Sequence, residues 1–197
     1  MKKAIIFDAY GTLISTGNGS IIASKKILKK INFDMDSKEF YKKWKELHKK
    51  QMRELNTFIT EKEIFENDLK MLYEYYGINH GYKEDIKIML ETLEHRNVFL
   101  ETNEALEELS KKYEIYIGSV TDTNPLLKNI KDNNIKVNGI YTSEMLKTYK
   151  PQKEFYIQIL KQLNLEPKDV IFVGDSLEED IKRTTKCRNF FYINRQK

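Results

Sequence analysis

Two aspartates that end apolar runs are the residues of this chain best placed to do chemistry. Lys3-Ala4-Ile5-Ile6-Phe7 runs into Asp8, and a Gly11-Thr12 turn follows. Further along, Val170-Ile171-Phe172-Val173 runs into Gly174-Asp175, with Asp180 after four intervening residues. In open α/β sheets ligands bind outside the carboxyl ends of the strands. Two strands ending in Asp can therefore bring their carboxylates together around a hard divalent cation, which prefers oxygen ligands. Each piece also has a plain structural reading, because Asp after a strand and the pair Gly-Asp are common turn residues. Two more groups lie between them. Ile115-Tyr116-Ile117-Gly118-Ser119-Val120-Thr121-Asp122 is a strand-like run that delivers the hydroxyls of Ser119 and Thr121, and Lys150-Pro151 precedes a helical pattern. Proline just inside a helix start is a favoured position.

The elements that must hold these residues are legible from periodicity. Residues 1–14 read as a strand and its loop. From 15 to 95 the pattern is helical almost throughout and contains no proline. Segments 21–31, 37–55, 61–76 and 83–93 are the predicted helices, with turn-rich breaks between them. Asp36 or Ser37 is the expected N-cap of the second. Thr60, followed three residues later by Glu63, has the spacing of a capping box for the third. After Val98 the pattern alternates: helix 103–111, strand 114–120, helix 124–133, strand 139–142, helix 153–163, strand 170–174, helix 177–185, strand 190–193. Such alternation argues a parallel sheet wound by helical crossovers. The expected fold is α/β, a Rossmann-like parallel-sheet core (1–14 and 96–197) interrupted by an all-helical insertion (15–95).

Composition narrows the function classes. The chain has 197 residues and a formal charge of +4. No stretch approaches the roughly 18 apolar residues of a membrane span, so no membrane role is expected. One cysteine, Cys187, excludes an internal disulfide and fits a reducing, cytoplasmic compartment. His48, His80 and His95 are too scattered to read as a metal cluster. Between Ser15 and Arg53 eleven Lys/Arg stand against four Asp/Glu, and from Glu54 to His95 four stand against ten. The lysines interleave with apolar residues at helical spacing, as in Ile22, Lys25, Lys26, Ile27, Leu28, Lys29 and Lys30, so they read as the solvated face of amphipathic helices. Nucleic acid is not the expected partner.

The order Asp8, Ser119 or Thr121, Lys150, Gly174-Asp175 resembles the motif set of the haloacid dehalogenase superfamily, whose members are mostly phosphatases. Phe7-Asp8-Ala9-Tyr10-Gly11-Thr12-Leu13 matches the first motif, and Ser119 (or Thr121) the second. Lys150-Pro151 with Phe155 matches the third, and Val173-Gly174-Asp175-Ser176-Leu177-Glu178-Glu179-Asp180-Ile181 the fourth. The resemblance implies a mobile helical cap over the core and a small phosphate ester as substrate. It implies that Asp8 is the nucleophile and forms an acyl-phosphate that water hydrolyses. It assigns Mg²⁺ to Asp8, the backbone carbonyl of Tyr10, Asp175 and Asp180. Lys150 offsets charge, and Thr12 with Ser119 or Thr121 binds the phosphoryl oxygens. Relatives that continue through another strand and helix suggest that a sheet edge here could be covered by a second copy, as a homodimer.

Tyr10 is the departure. Most phosphatases of the family carry an aspartate there as general acid and base, whereas a phenol, titrating near pH 10, is a poor proton acceptor at neutral pH. Haloacid dehalogenases carry an Asp-x-Tyr-Gly-Thr-Leu first motif, which makes 2-haloacid dehalogenase the alternative. There Asp8 would displace halide, with no metal and no protonated leaving group. Against it, dehalogenases generally have Ser-Ser-Asn where this chain has Gly174-Asp175-Ser176. Their cap arginine beside a tryptophan is answered here only by Trp44-Lys45, and Lys does not reproduce bidentate carboxylate recognition. A third reading is a non-catalytic module that keeps the phosphate pocket.

Overall fold

The computed structural model describes residues 3–176 and, as a strand, 191–193. The expected helix 177–185, Asp180 and Cys187 lie outside the described residues. The chain divides into two compact units, one made of Met1–Ser15 with Asn97–Lys197 and the other of Thr16–Arg96.

The first unit is built on five parallel strands in the order β3-β2-β1-β4-β5. They are β1 (Ala4–Phe7), β2 (Glu114–Ser119), β3 (Gly139–Thr142), β4 (Val170–Gly174) and β5 (Phe191–Ile193). The central strand is apolar throughout because both its faces are covered, as in sheets wound on both sides. Side chains alternate across the sheet. Ile5, Phe7 and Ala9 join Ile115, Ile117, Leu126 and Ile135 on one face. Ala4 and Ile6 join Phe155, Tyr156, Ile159, Val170 and Phe172 on the other. Each such Ile or Phe contributes about 1.5–3 kcal/mol when fully buried. The crossovers use α5 (Thr102–Ser110), α6 (Thr123–Asp132), the single turn α7 (Ser143–Leu146) and α8 (Lys153–Leu163). Pro167–Asp169 forms a 3₁₀ turn before β4.

The second unit contains α1 (Gly19–Lys30), α2 (Ser37–Glu54), α3 (Glu61–Tyr76) and α4 (Tyr82–Leu93). Asp36 caps α2, its carboxylate accepting from the Lys38 and Glu39 amides. Thr60 and Glu63 form the capping box of α3, and Gly77 ends that helix at φ +66°, a backbone conformation open to glycine without penalty. The core gathers Ala23, Ile27, Phe40, Trp44, Leu69, Leu72, Ile86 and Met89.

Two fully buried aspartates interrupt this apolar packing, and neither was legible as part of a pair. Asp68 has Oδ2 2.6 Å from His48 Nδ1, while its Oδ1 accepts from Gln51 Nε2 at 3.0 Å. Burial pushes the Asp68 carboxyl above its ordinary value, with His48 acting the other way. Asp85 accepts from the Tyr73 hydroxyl at 2.7 Å and lies 2.6 Å from His80 Nδ1. The Lys30 ammonium is 2.7 Å from its other oxygen. Burial raises Asp85 too, but Lys30, Tyr73 and His80 outweigh it and hold the group below its ordinary value. No helix of the described residues is long and apolar enough to cross a membrane.

Candidate active site

From β1 the chain steps outward to β2 and β3 on one side, then crosses to β4 and β5 on the other. The topological switch point therefore falls between β1 and β4, where α/β sheets open a crevice at their carboxyl ends. Phe7 is paired with Val173, and the Asp8 amide donates to the Val173 carbonyl at 2.7 Å. The sequence consequently delivers Asp8 and Asp175 from neighbouring strand ends.

Asp8 is buried, and Lys150 Nζ donates to its Oδ1 at 2.8 Å. The lysine side chain is 4% exposed and the aspartate side chain 10%. Both charges are thus largely out of water, where the pair attracts strongly but either charge alone would be costly. Lys150 comes from the segment after α7, where Lys147 adopts φ +53° and the Lys150–Pro151 peptide is cis. Its ammonium stands 5.7 Å from the centroid of the Phe155 ring at the start of α8. Phe155 packs on the sheet face over Gly118. A Cβ on Gly118 would meet Ile6 Cγ2 at 3.1 Å and Phe155 Cε1 at 3.5 Å.

After Asp8 the chain turns tightly, the Leu13 and Ile14 amides both donating to the Ala9 carbonyl. Gly11 sits in that turn at φ +94°, and the Asp175 carboxylate occupies the space a side chain would need. An added Cβ would lie 2.3 Å from Asp175 Oδ2 and 2.7 Å from its Cγ. Asp175 is thereby brought against the same turn that follows Asp8. Thr12 and Ser119 are 6% and 1% exposed, and each carries a buried hydroxyl oxygen without a hydrogen-bond partner. Buried polar groups are rarely left so, and the oxygens of a bound anion are acceptors that hydroxyls of this kind could donate to. Thr121 is also buried, just beyond β2. Ser119 and Thr121 thus both lie at this end of the sheet. Asp180 lies outside the described residues.

The phenol of Tyr10 is engaged elsewhere. Asn129 of α6 is fully buried, and its side-chain amide donates to the Tyr10 hydroxyl oxygen at 3.1 Å and to the Pro125 carbonyl at 2.9 Å. The Tyr10 ring packs against the core cluster that contains Ile5, Phe7 and Leu126. Sequence reasoning missed Asn129. Its one trace is a polar residue three positions after Leu126, on the apolar stripe of α6.

Mg²⁺ fits the donors present. It binds through one or two carboxylates and completes an octahedral shell with water. Asp8, Asp175 and the Tyr10 carbonyl offer only hard oxygens. Among the described residues no group of three or more His, Cys, Asp or Glu side chains gathers that could hold a metal ion.

A doubly covered parallel sheet with a buried Asp–Lys pair at its switch point is the core of an α/β enzyme. The chain belongs to the haloacid dehalogenase-like hydrolases, whose family model matches residues 2–182. No curated protein matches it in sequence. Among solved structures, the defluorinating L-2-haloacid dehalogenase Rha0230 is similar with a TM-score of 0.83 and 18% identity, over 98% of this chain and 80% of that one. The HAD-hydrolase YfnB from Bacillus subtilis, bound to magnesium, has a TM-score of 0.83 and 17% identity, over 96% and 87% of the two chains. The L-2-haloacid dehalogenase from Xanthobacter autotrophicus, with chloropropionic acid covalently bound, has a TM-score of 0.77 and 14% identity, over 97% and 76%. At such identities the likeness is one of fold.

Proposed function

We propose that this hydrolase cleaves small phosphate esters through an aspartyl-phosphate. The observation that carries the reading is the Asp175 carboxylate lying over Gly11, beside the strand end that holds Asp8. A second carboxylate there is a liability unless a cation offsets it. Asp8, Asp175, the Tyr10 carbonyl and Asp180 would hold Mg²⁺, which when bound supplies positive charge to the phosphoryl oxygens. In the first step an Asp8 oxygen attacks phosphorus, the bond to the ester oxygen breaks, and the leaving oxygen departs with the electron pair. Water then attacks the acyl-phosphate, releasing phosphate and regenerating Asp8. Lys150, whose ammonium donates to Asp8 Oδ1, offsets charge on the nucleophile and on the transferring group. Thr12 and Ser119, with Thr121, donate to the phosphoryl oxygens.

Hydrolysis of p-nitrophenyl phosphate tests this, with Mg²⁺, with chelator, and with Asp8→Asn. Turnover abolished by both controls supports the phosphatase. A specific observation favours one other reading, 2-haloacid dehalogenase: the Tyr10 phenol is packed and engaged by Asn129, and halide departs without a proton. The Rha0230 and Xanthobacter enzymes support it at the level of fold. Metal-independent halide release from 2-chloropropionate would establish it and overturn the phosphatase. No turnover of either substrate, with Mg²⁺ still bound, would make the protein a binding module.

A further inference from the structure

Lys150 reaches Asp8 from the connection between α7 and α8, residues 147–152. A lysine ammonium rides on a flexible four-carbon stem, yet here it is 4% exposed and donates to Asp8 Oδ1 at 2.8 Å. Such a placement requires that the backbone fix where the stem begins. Two hydrogen bonds close the chain across the lysine. The Thr148 hydroxyl donates to Gln152 Oε1 at 2.5 Å, spanning Lys150 with two residues to each side. Inside that span the Gln152 amide donates to the Tyr149 carbonyl at 2.9 Å. Thr148 and Tyr149 are buried, whereas Gln152 is exposed. Gln152 is the N-cap of α8, a position whose side chain ordinarily accepts from the first amides of its own helix. It makes no such bond and turns its oxygen back to Thr148 instead. The start of the connection is tied to the same helix, Gln158 Nε2 donating to the Leu146 carbonyl at 3.1 Å.

We infer that Thr148 and Gln152 are positioning residues, the bond between their side chains holding the Lys150 ammonium on the nucleophile. This rests on the phosphatase reading, in which Asp8 attacks phosphorus and Lys150 offsets the charge that develops. The clamp contributes little to the fold itself, because an exposed Gln152 released from Thr148 can turn its amide to water. Its effect falls on the rate. A displacement of about 1 Å at a reacting group can cost about 10²-fold, and a stem freed at its base lets the ammonium move by such amounts.

The test has two readouts, each on the full chain as wild type, Thr148→Val, Thr148→Ser and Gln152→Met. The first is kcat and KM for p-nitrophenyl phosphate with Mg²⁺, with Lys150→Met and Thr148→Val/Lys150→Met added. The second is native-state labelling of Lys150 by an amine reagent, read by peptide mass spectrometry against the exposed Lys153. Thr148→Val and Gln152→Met should each lower kcat about tenfold with KM unchanged, and both should raise the labelling of Lys150 relative to Lys153. Thr148→Ser keeps the hydroxyl and should restore both readouts. Without Lys150, Thr148→Val should lower the residual rate no further; should Lys150→Met not fold, the serine rescue and the labelling decide. Unchanged kcat and labelling in Thr148→Val and Gln152→Met would overturn the inference and leave the phosphatase standing. Equal losses with and without Lys150, or a loss carried by KM alone, would reduce the clamp to a loop staple and overturn its role. A wild type that hydrolyses no p-nitrophenyl phosphate would overturn the phosphatase reading. Labelling alone then judges the clamp, and Lys150 equally protected in all four proteins would overturn it as well.

Discussion

Placing a methyl group on Gly11 separates the turn's backbone from its contact with Asp175. At φ +94° an L-residue is strained, and the new Cβ would fall 2.3 Å from Asp175 Oδ2 and 2.7 Å from its Cγ. Strain of this kind costs about 1–3 kcal/mol. The contact cannot be tolerated in place, so the short Asp175 side chain must rotate away from the Asp8 turn. Gly77→Ala is the control, with φ +66° and nothing within 4 Å of the added atom. Both variants should therefore lose stability, with Tm lowered by about 2–4 °C for each kcal/mol in a chain of this size. Only Gly11→Ala should also raise the Mg²⁺ concentration for half-maximal p-nitrophenyl phosphate hydrolysis. A tenfold rise, corresponding to about 1.4 kcal/mol, is the expected minimum. Thermal unfolding and a Mg²⁺ titration of the rate measure the two effects independently. Equal Mg²⁺ requirements in Gly11→Ala and Gly77→Ala, both folded, would refute the role of Asp175 that the contact implies.

Lys150→Met keeps the volume of the side chain and strips the buried Asp8 carboxylate of its ammonium. Urea unfolding at pH 7 should show a loss of about 3–5 kcal/mol, partly restored in the Asp8→Asn/Lys150→Met double variant; a loss under about 1 kcal/mol would mean that the pair is well solvated. The two buried aspartates of the helical unit should respond oppositely to acid. Asp85 is held below its ordinary value, so its stabilisation is present above about pH 3.9 and is lost as the pH falls through its folded value. Asp68 is held above its ordinary value, so it favours the folded state below about pH 3.9, and that contribution is lost as the pH rises through its folded value. Unfolding of Asp85→Asn and Asp68→Asn across the acid range should show destabilisation relative to wild type that grows with pH for the first and shrinks for the second. Parallel pH profiles would refute the assignment.

The elements with strong local rules were legible from the residues. Glu61–Tyr76 was bounded by a capping box at Thr60 and a left-handed glycine at 77, and both act within one turn. Lys153–Leu163, Gly139–Thr142 and Val170–Gly174 were likewise bounded by changes of period. The start of α1 at Gly19 rather than 21 was not visible, because its first residues lie ahead of the apolar periodicity. Ser143–Leu146 is too short to show any period. The buried aspartates illustrate a different limit. Asp68 falls between Ile64 and Leu72 at helical spacing, so its burial could have been read. Its partner His48 lies on another helix, and no local pattern encodes that contact. The same holds for Tyr10 and Asn129, 119 residues apart. The comparison with known proteins gives the hydrolase family and the fold, while the choice between phosphate ester and haloacid depends on a few side chains that fold similarity does not report.

The strand that carries Asp8 is made first and framed last. Ala4 pairs with Glu114 on one side and Val170 on the other, separations of 110 and 166 residues. Residues 16–96, by contrast, form a compact unit from one continuous stretch, with contacts that need no distant closure. Non-local pairing slows folding, because the entropy of closing the loop must be met before any contact rewards it. During synthesis the helical stretch can therefore complete itself while Ala4-Ile5-Ile6-Phe7 is still without either neighbour. The nucleophile's strand spends most of that interval as an unpaired apolar segment, the kind of surface that makes folding intermediates prone to aggregate. Its exposure ends only when the chain has been extended past the last residue of β4.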